Sequence, residues 1–171
     1  MAAKKYLTLN NGRIAETSAT VQSAGAADDG KIVALDSSGK IDSTMLPAGS
    51  NSDSVVVPAS EALAAGDVVN IWDDAGTARV RKADATAPGK EAVGFVNAAV
   101  SGGDAATVFF EGSISGKSGL TPGARQYLSD STPGAITPTP PTTAGHVVQF
   151  IGVAINTTSV SLEVGEPITL A

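Results

Sequence analysis

Residues 146–155 read HVVQFIGVAI, and they alternate with the period of a β-strand. Val147, Gln149, Ile151 and Val153 fall on one side, while Val148, Phe150 and Gly152 fall on the other. In the following stretch, TTSVSLEV, Val160 and Leu162 alternate with Ser159, Ser161 and Glu163. Period two marks a half-buried strand, and two such runs in succession predict an antiparallel pair. The same punctuation runs backwards through the chain. SVVVPA, Val68–Trp72, TARVRKAD, EAVGFVNAAV, ATVFFEGSI and GLTPGARQYL are short apolar or alternating runs separated by AGD, DAG, APG, SGG and Pro-Gly turn signals. Short strands with turns every ~8–12 residues predict an all-β body, a β-barrel or a sandwich. No stretch predicts a helix.

Composition narrows the class. Of 171 residues, 42% are hydrophobic but only 4% are aromatic, so the core must be built from Val, Ile, Leu and Ala. A thin aliphatic core of this kind is often supplemented by assembly. The formal net charge is −6 and no basic patch offsets it, which argues against a nucleic-acid partner. Cysteine is absent, which removes disulfides, thiolate nucleophiles and zinc–thiolate sites. No run approaches the ~18 apolar residues of a membrane-spanning helix. MAAKKYLTLNNG lacks the apolar core of a secretory signal, so synthesis and folding in a cytosol are expected.

The first fifty residues differ from the rest. Lys4, Lys5, Arg13, Lys31 and Lys40 balance Glu16, Asp28, Asp29, Asp36 and Asp42, so residues 51–171 carry the whole negative charge. The segment reads as an extended piece, KYLTL, a polar stretch, and one hairpin-like unit, GKIVALDSSGKID. That unit is expected to run out over Lys31–Leu35, turn at Asp36–Gly39 and return over Lys40–Asp42. Residues 51–56 then read as a linker and 57–171 as the body. A lone two-stranded hairpin is marginal in water. Residues 1–50 are therefore expected to be disordered, or to lie on the body, on a sister subunit or on a foreign surface. The apolar side chains available for such a contact are Tyr6, Leu7, Leu9, Ile32, Val33, Leu35, Met45 and Leu46.

A search for catalytic chemistry gives little. His146 is the single histidine, and no G-x-S-x-G accompanies it, so it reads as a surface or interface residue. Asp73 and Asp74 read as part of a DDAG hairpin turn, since calcium would need a ligand series that is missing. SGGDAA and SGKSGLTPG do not form a phosphate loop. Trp72 could stack on a sugar, but it reads first as a core or interface anchor. No cofactor, no metal and no enzymatic activity are expected.

The order AGDVVNIW, RVRKADAT, GKEAVGFV, FFEGSISG and GLTPGARQYLSDSTPGAITPTPPTTAGHVVQFIGVAI resembles the β-rich virion proteins of tailed bacteriophages. In particular it is similar to small capsid decoration (cement or head-fibre) proteins. The resemblance spans about residues 56–171, and DGKIVALDSSGKIDSTMLP separately looks like a connector near the start of such proteins. It implies a non-enzymatic structural protein and a homotrimer. It also implies a place on the capsid surface of a virion made in the bacterial host cytoplasm, with the major capsid protein as partner of residues 1–50. A tail-fibre or baseplate part with the same body is the alternative, and a carbohydrate-binding adhesin using Trp72 and the Pro-rich loop is a more distant one.

Residues 127–145, YLSDSTPGAITPTPPTTAG, hold Pro133, Pro138, Pro140 and Pro141. Proline fixes φ and removes a backbone donor, so this loop is expected to cover an edge without joining a central strand. It reads as a stiff surface loop, a subunit contact or a ligand site. For the subunit contact the candidates are Pro138, Pro140, Pro141, His146 and Phe150.

Overall fold

The computed structural model describes residues 4–46 and 53–171. The chain divides into two compact units, Met1–Asn51 and Ser52–Ala171.

Unit 1 contains a β-hairpin and two single tight helical turns, Gly25–Asp28 and Ser43–Met45. Strands β1 (Lys5–Asn10) and β2 (Arg13–Ser18) pair antiparallel, from Lys5 opposite Ser18 to Asn10 opposite Arg13. The two-residue loop Asn11-Gly12 has φ of 51° and 76°. Two positive φ values in succession suit the twist of a hairpin, and Asn-Gly is the pair that tolerates them best. The hairpin expected at 31–42 is not formed. Its turn exists, since the Asp36 amide donates to the Lys40 carbonyl at 2.8 Å, but the flanking segments are not strands. Val33 instead bridges in parallel to Thr20. The Asn-Gly turn, flanked by longer alternating runs, takes the hairpin.

Unit 2 is all-β. Its first strands are β3 (Ser54–Pro58), β4 (Val68–Asp74), β5 (Thr77–Lys82), β6 (Gly94–Val96) and β7 (Ala105–Phe109). Then follow β8 (Ser113–Ile114), β9 (Arg125–Leu128), β10 (Ile136–Thr137), β11 (Val147–Val148), β12 (Phe150–Ala154), β13 (Val160–Leu162) and β14 (Ile168–Thr169). Of the linker expected at 51–56, residues 51 and 52 lie outside the described residues, and Ser54–Val56 already belong to β3.

Two five-stranded antiparallel sheets make up the body. The first has the order β3-β7-β6-β4-β5, and the second the order β10-β9-β12-β13-β8. The first sheet curls until Ala59, just beyond β3, bridges Val80 of β5. Its concave side encloses Val57, Ala59, Leu63, Val69, Val80, Val96, Ala106 and Val108. A second core lies between the sheets and holds Val68, Phe95, Ile114, Leu128, Ile151 and Val160. A short β11–β14 pair completes the body.

The strand that opened the sequence reading keeps its alternation only part of the way. Val147, Gln149 and Ile151 are buried, as expected, but Val153 is half-exposed and Ala154 is buried. A bulge explains the change of phase. Phe150 pairs with Tyr127 and Gly152 with Gln126, so Ile151 has no partner on β9. One extra residue flips every later side chain to the other face. Gly152 sits at that bulge with φ of 155°, and a Cβ there would overlap the Ser161 carbonyl oxygen. Gln149 provides a polar tie across the body. Its side-chain oxygen accepts the Ala92 amide at 2.8 Å, and its side-chain amide donates to the Ala92 carbonyl at 2.9 Å.

Gly152→Ala should lower the unfolding free energy by about 1–3 kcal/mol, because the β13 backbone must retreat or the bulge must distort. Denaturant titration of the two proteins, compared with Gly116→Ala in a loop where a Cβ meets nothing, reads the difference.

Candidate functional site

Unit 1 offers apolar surface in place of a core. Among its described residues only Ala34 is buried. The hairpin turns its more polar face inward. Tyr6, Thr8, Ala15 and Thr17 are half-buried, Thr8 and Thr17 share a hydroxyl hydrogen bond of 2.8 Å, and the Tyr6 hydroxyl accepts the Ile32 amide at 3.3 Å. The opposite face carries Leu7, Leu9 and Ile14, which are 71%, 75% and 75% exposed. Leu9 lies directly across from Ile14, so the three form one contiguous aliphatic ridge. The Lys5–Glu16 ion pair, 2.8 Å, closes one end of it. Amphipathic hairpins normally bury the aliphatic side, and here that side faces water.

The other sequence-predicted arm residues divide. Ile32, Val33, Leu35 and Leu46 are exposed, while Tyr6 and Met45 are half-buried within the unit. Ile14 and Ile41 are equally open and were missed. Ile14 sat in a stretch read as polar, and only its register opposite Leu9 brings it to the ridge.

Carboxylates and main-chain hydrogen bonds hold the shape of unit 1. Asp28 accepts the Ala24 amide at 2.6 Å and the Lys31 ammonium at 2.7 Å. Asp36 accepts the Lys40 amide and the Ser38 amide and hydroxyl, and Asp42 accepts the Thr44 amide and hydroxyl. Each carboxyl is held below its ordinary pKa. The main cause is the Ala24 amide for Asp28, the Lys40 amide for Asp36 and the Thr44 hydroxyl for Asp42. A cleft of about 540 Å³ near Thr20, Ser23, Lys31, Val33 and Met45 is lined by two acids, Asp28, which is engaged in this way, and Asp29.

In unit 2 the Pro-rich loop is stitched to its own body. Its first part forms β10, which pairs with β9 at the outer edge of the second sheet and stops at Pro138. Gly134 donates to the Ala83 carbonyl at 2.8 Å and accepts the Val68 amide at 3.0 Å. Asp130 and His146 meet at 3.0 Å, Oδ2 to Nδ1, and clasp the two ends of the loop. Pro141 is buried within unit 2, whereas Pro138 and Pro140 are exposed. Phe150 is half-buried, edge-on to Tyr127 at 6.1 Å and under the Arg125 guanidinium at 5.5 Å.

Trp72 is engaged as well. The Arg81 guanidinium lies 5.0 Å from its ring centroid, and Arg81 in turn donates to Asn70 and to the Gly89 carbonyl. Asp73 accepts the Gly76 amide at 2.8 Å, which is the turn role expected of it. Among the described residues no three acidic or histidine side chains are grouped to hold a metal ion.

A second open surface lies on the outer side of the first sheet. Ala105, Thr107 and Phe109 of β7 and the segment Ala98–Val100 line a groove of about 360 Å³. Val56, paired with Thr107, stands beside it at 63% exposure. The sequence reading missed this groove, because the run 97–100 was taken for strand.

No protein-family model and no curated protein matches the chain.

The lowered carboxyls of Asp28, Asp36 and Asp42 give unit 1 an acid sensitivity with a definite sign. Their contribution is complete above 3.8, the ordinary value, and is lost as pH falls through the lower folded-state values. Protection of the Ser38, Lys40 and Thr44 amides, taken relative to the intrinsic exchange rate at each pH, should therefore fall below pH about 4, while that of Val69 and Val108 in the body is kept.

Proposed function

We propose that the protein is a non-enzymatic structural component of a tailed-phage virion. Its body decorates the outside of the capsid, and unit 1 anchors it on the major capsid protein. One observation carries this. Among its described residues, unit 1 leaves Leu7, Leu9, Ile14, Ile32, Val33, Leu35, Ile41 and Leu46 in water and buries Ala34 alone. A segment so built is incomplete, and burial of apolar area against a partner supplies what it lacks, at roughly 25 cal/mol per Å². The neutral balance of residues 1–50 lets it approach a surface that the acidic body would not favour. The resemblance of residues 56–171 to decoration proteins points to the capsid as that surface. It also points to a homotrimer, in which three anchors would act together and gain on the order of 10²–10⁴ in avidity over one.

The sugar-binding alternative is less supported, because the Arg81 guanidinium lies over one face of the Trp72 ring, 5.0 Å from its centroid. The tail alternative uses the same anchor and differs only in address.

Deletion of residues 1–46 tests the assignment. The body holds both buried cores and should remain folded, keeping the strand signal of β3 to β14. Capsids made without the protein should bind the full chain and fail to bind the truncated one in co-sedimentation. Equal binding of both would refute the anchor, and gold labelling confined to tails would move the protein from head to tail.

A further inference from the structure

The turn of the unit 1 hairpin carries the reactants of a chemical change. Asn11 is the one asparagine in the chain that is followed by glycine. The other described asparagines precede residues with a Cβ: Asn10 precedes Asn11, Asn70 Ile71, Asn97 Ala98 and Asn156 Thr157. Two of these are also pinned. The Asn70 side chain donates to the Glu91 carbonyl and accepts Arg81, and the Asn156 side-chain oxygen accepts the Thr158 amide and hydroxyl. Asn11 and Gly12 are exposed, and a Cβ at Gly12 would meet nothing within 4 Å. The strand ladder ends at Asn10 opposite Arg13, and among the described residues the Gly12 amide has no hydrogen-bond partner. An uncrowded, unbonded main-chain amide therefore adjoins a free side-chain carboxamide.

We propose that Asn11 is a self-modification site, whose isoaspartyl product prevents β1 and β2 from pairing again. The Gly12 nitrogen bonds to the Asn11 Cγ and gives its proton to water, while the Cγ–Nδ2 bond breaks and ammonia leaves. Water then opens the resulting succinimide ring. Attack at Cγ yields aspartate, and attack at the main-chain carbonyl of Asn11 yields isoaspartate. Nothing is oxidised or reduced. Ring closure needs the Asn11 main chain to rotate until the Gly12 nitrogen faces Cγ. The closed hairpin, with φ of 51° and 76° in its turn, opposes that rotation. Reaction therefore waits on local opening, and unit 1 has little to hold it shut, since among its described residues only Ala34 is buried. In isoaspartate the main chain runs through Cγ, which adds one methylene to a loop of two residues. Such a loop sets the register of its strands, so Leu9 and Ile14 lose their alignment. The ammonia is not regained, and the loss runs one way. The hairpin thus has a chemical lifetime that the body does not share. The inference goes beyond the capsid proposal and does not rest on it.

Purified full-length chain, aged in mildly alkaline buffer, suffices for the test. Trypsin releases residues 6–13, and fragmentation of that peptide separates Asn10 from Asn11. Conversion at Asn11 should outpace that at exposed Asn97 by about tenfold or more, because the Cβ of the following alanine crowds the attacking nitrogen. It should be slower than in a free peptide of residues 8–14, and should approach the peptide rate in urea too dilute to unfold the body. The isoaspartyl fraction, recognised by an isoaspartate methyltransferase and separated by anion exchange, should lose the cross-strand NMR contacts between Leu9 and Ile14 while the signals of Val69 and Val108 stay in place. Fresh Asn11→Asp protein should keep those contacts, because Asp-Gly also suits the turn, and this separates the longer main chain from the added charge. Asn11→Gly should keep the hairpin and never convert. An Asn11 still intact when the peptide is spent, another described asparagine that converts first, an isoaspartyl chain that retains the Leu9–Ile14 contacts, or an Asn11→Asp chain that loses them each overturns the inference.

Discussion

The body depends on two strands that are buried on both faces. In β4, Val68 enters the core between the sheets while its neighbour Val69 enters the core inside the curled sheet. In β6, Phe95 and Val96 divide in the same way. One wall thus serves two cores, and neither core can be altered without the other registering it. A one-residue slip of β4 would exchange Val68 with Val69 and misplace both at once. This double use lets a chain with seven aromatic residues fill its interior with aliphatic side chains. Two thin cores back to back share their boundary and need fewer large side chains than two separate ones.

Polar groups tie the wall to its surroundings where apolar packing stops. Gln149 reads the Ala92 backbone as a β-strand would, giving one bond and taking one, from a side chain that is almost wholly buried. Lys117, half-buried, reaches the Gly66 carbonyl at 2.8 Å, and burial holds its ammonium below the ordinary lysine pKa even with Asp67 nearby. These bonds run between distant parts of the chain. The Pro-rich loop is tied down in the same manner, through Gly134 to Ala83 and Val68 and through Asp130 to His146.

Much of the body was legible because its strands are half-buried and alternate. The β4–β5 hairpin was read correctly from DDAG, and Ala75-Gly76 adopts the same pair of positive φ values, 53° and 88°, that Asn11-Gly12 does. The hairpin of unit 1 was not read, although Asn-Gly is the stronger signal. KYLTL was read as a lone extended piece and RIAETS as part of a polar stretch, so the pairing of Leu9 with Ile14 went unseen. The break at Gly152 was equally hidden, because a bulge leaves the local pattern unchanged and only shifts its phase against β9. Strand β10 was hidden for another reason. Two residues before a proline have no periodicity to detect, and their pairing is decided by Leu128 and Tyr127 on β9. The groove beside β7 belongs to tertiary structure altogether, since it needs the 97–100 segment to lie over a strand that is adjacent to it only in space.

The contrast between the two units has a physical consequence. A segment shaped by Asp28, Asp36 and Asp42 has its turns fixed in advance, so it loses less backbone freedom on docking than an unstructured chain would. Those same exposed hydrogen bonds contribute little net stability, because water competes for every one of them. Shape and stability are thereby separated. The carboxylate turns give unit 1 a defined surface, and its large apolar side chains lie open to water. On the proposed reading, recognition falls to unit 1, whose large apolar side chains lie open, and persistence to the body with its two closed cores.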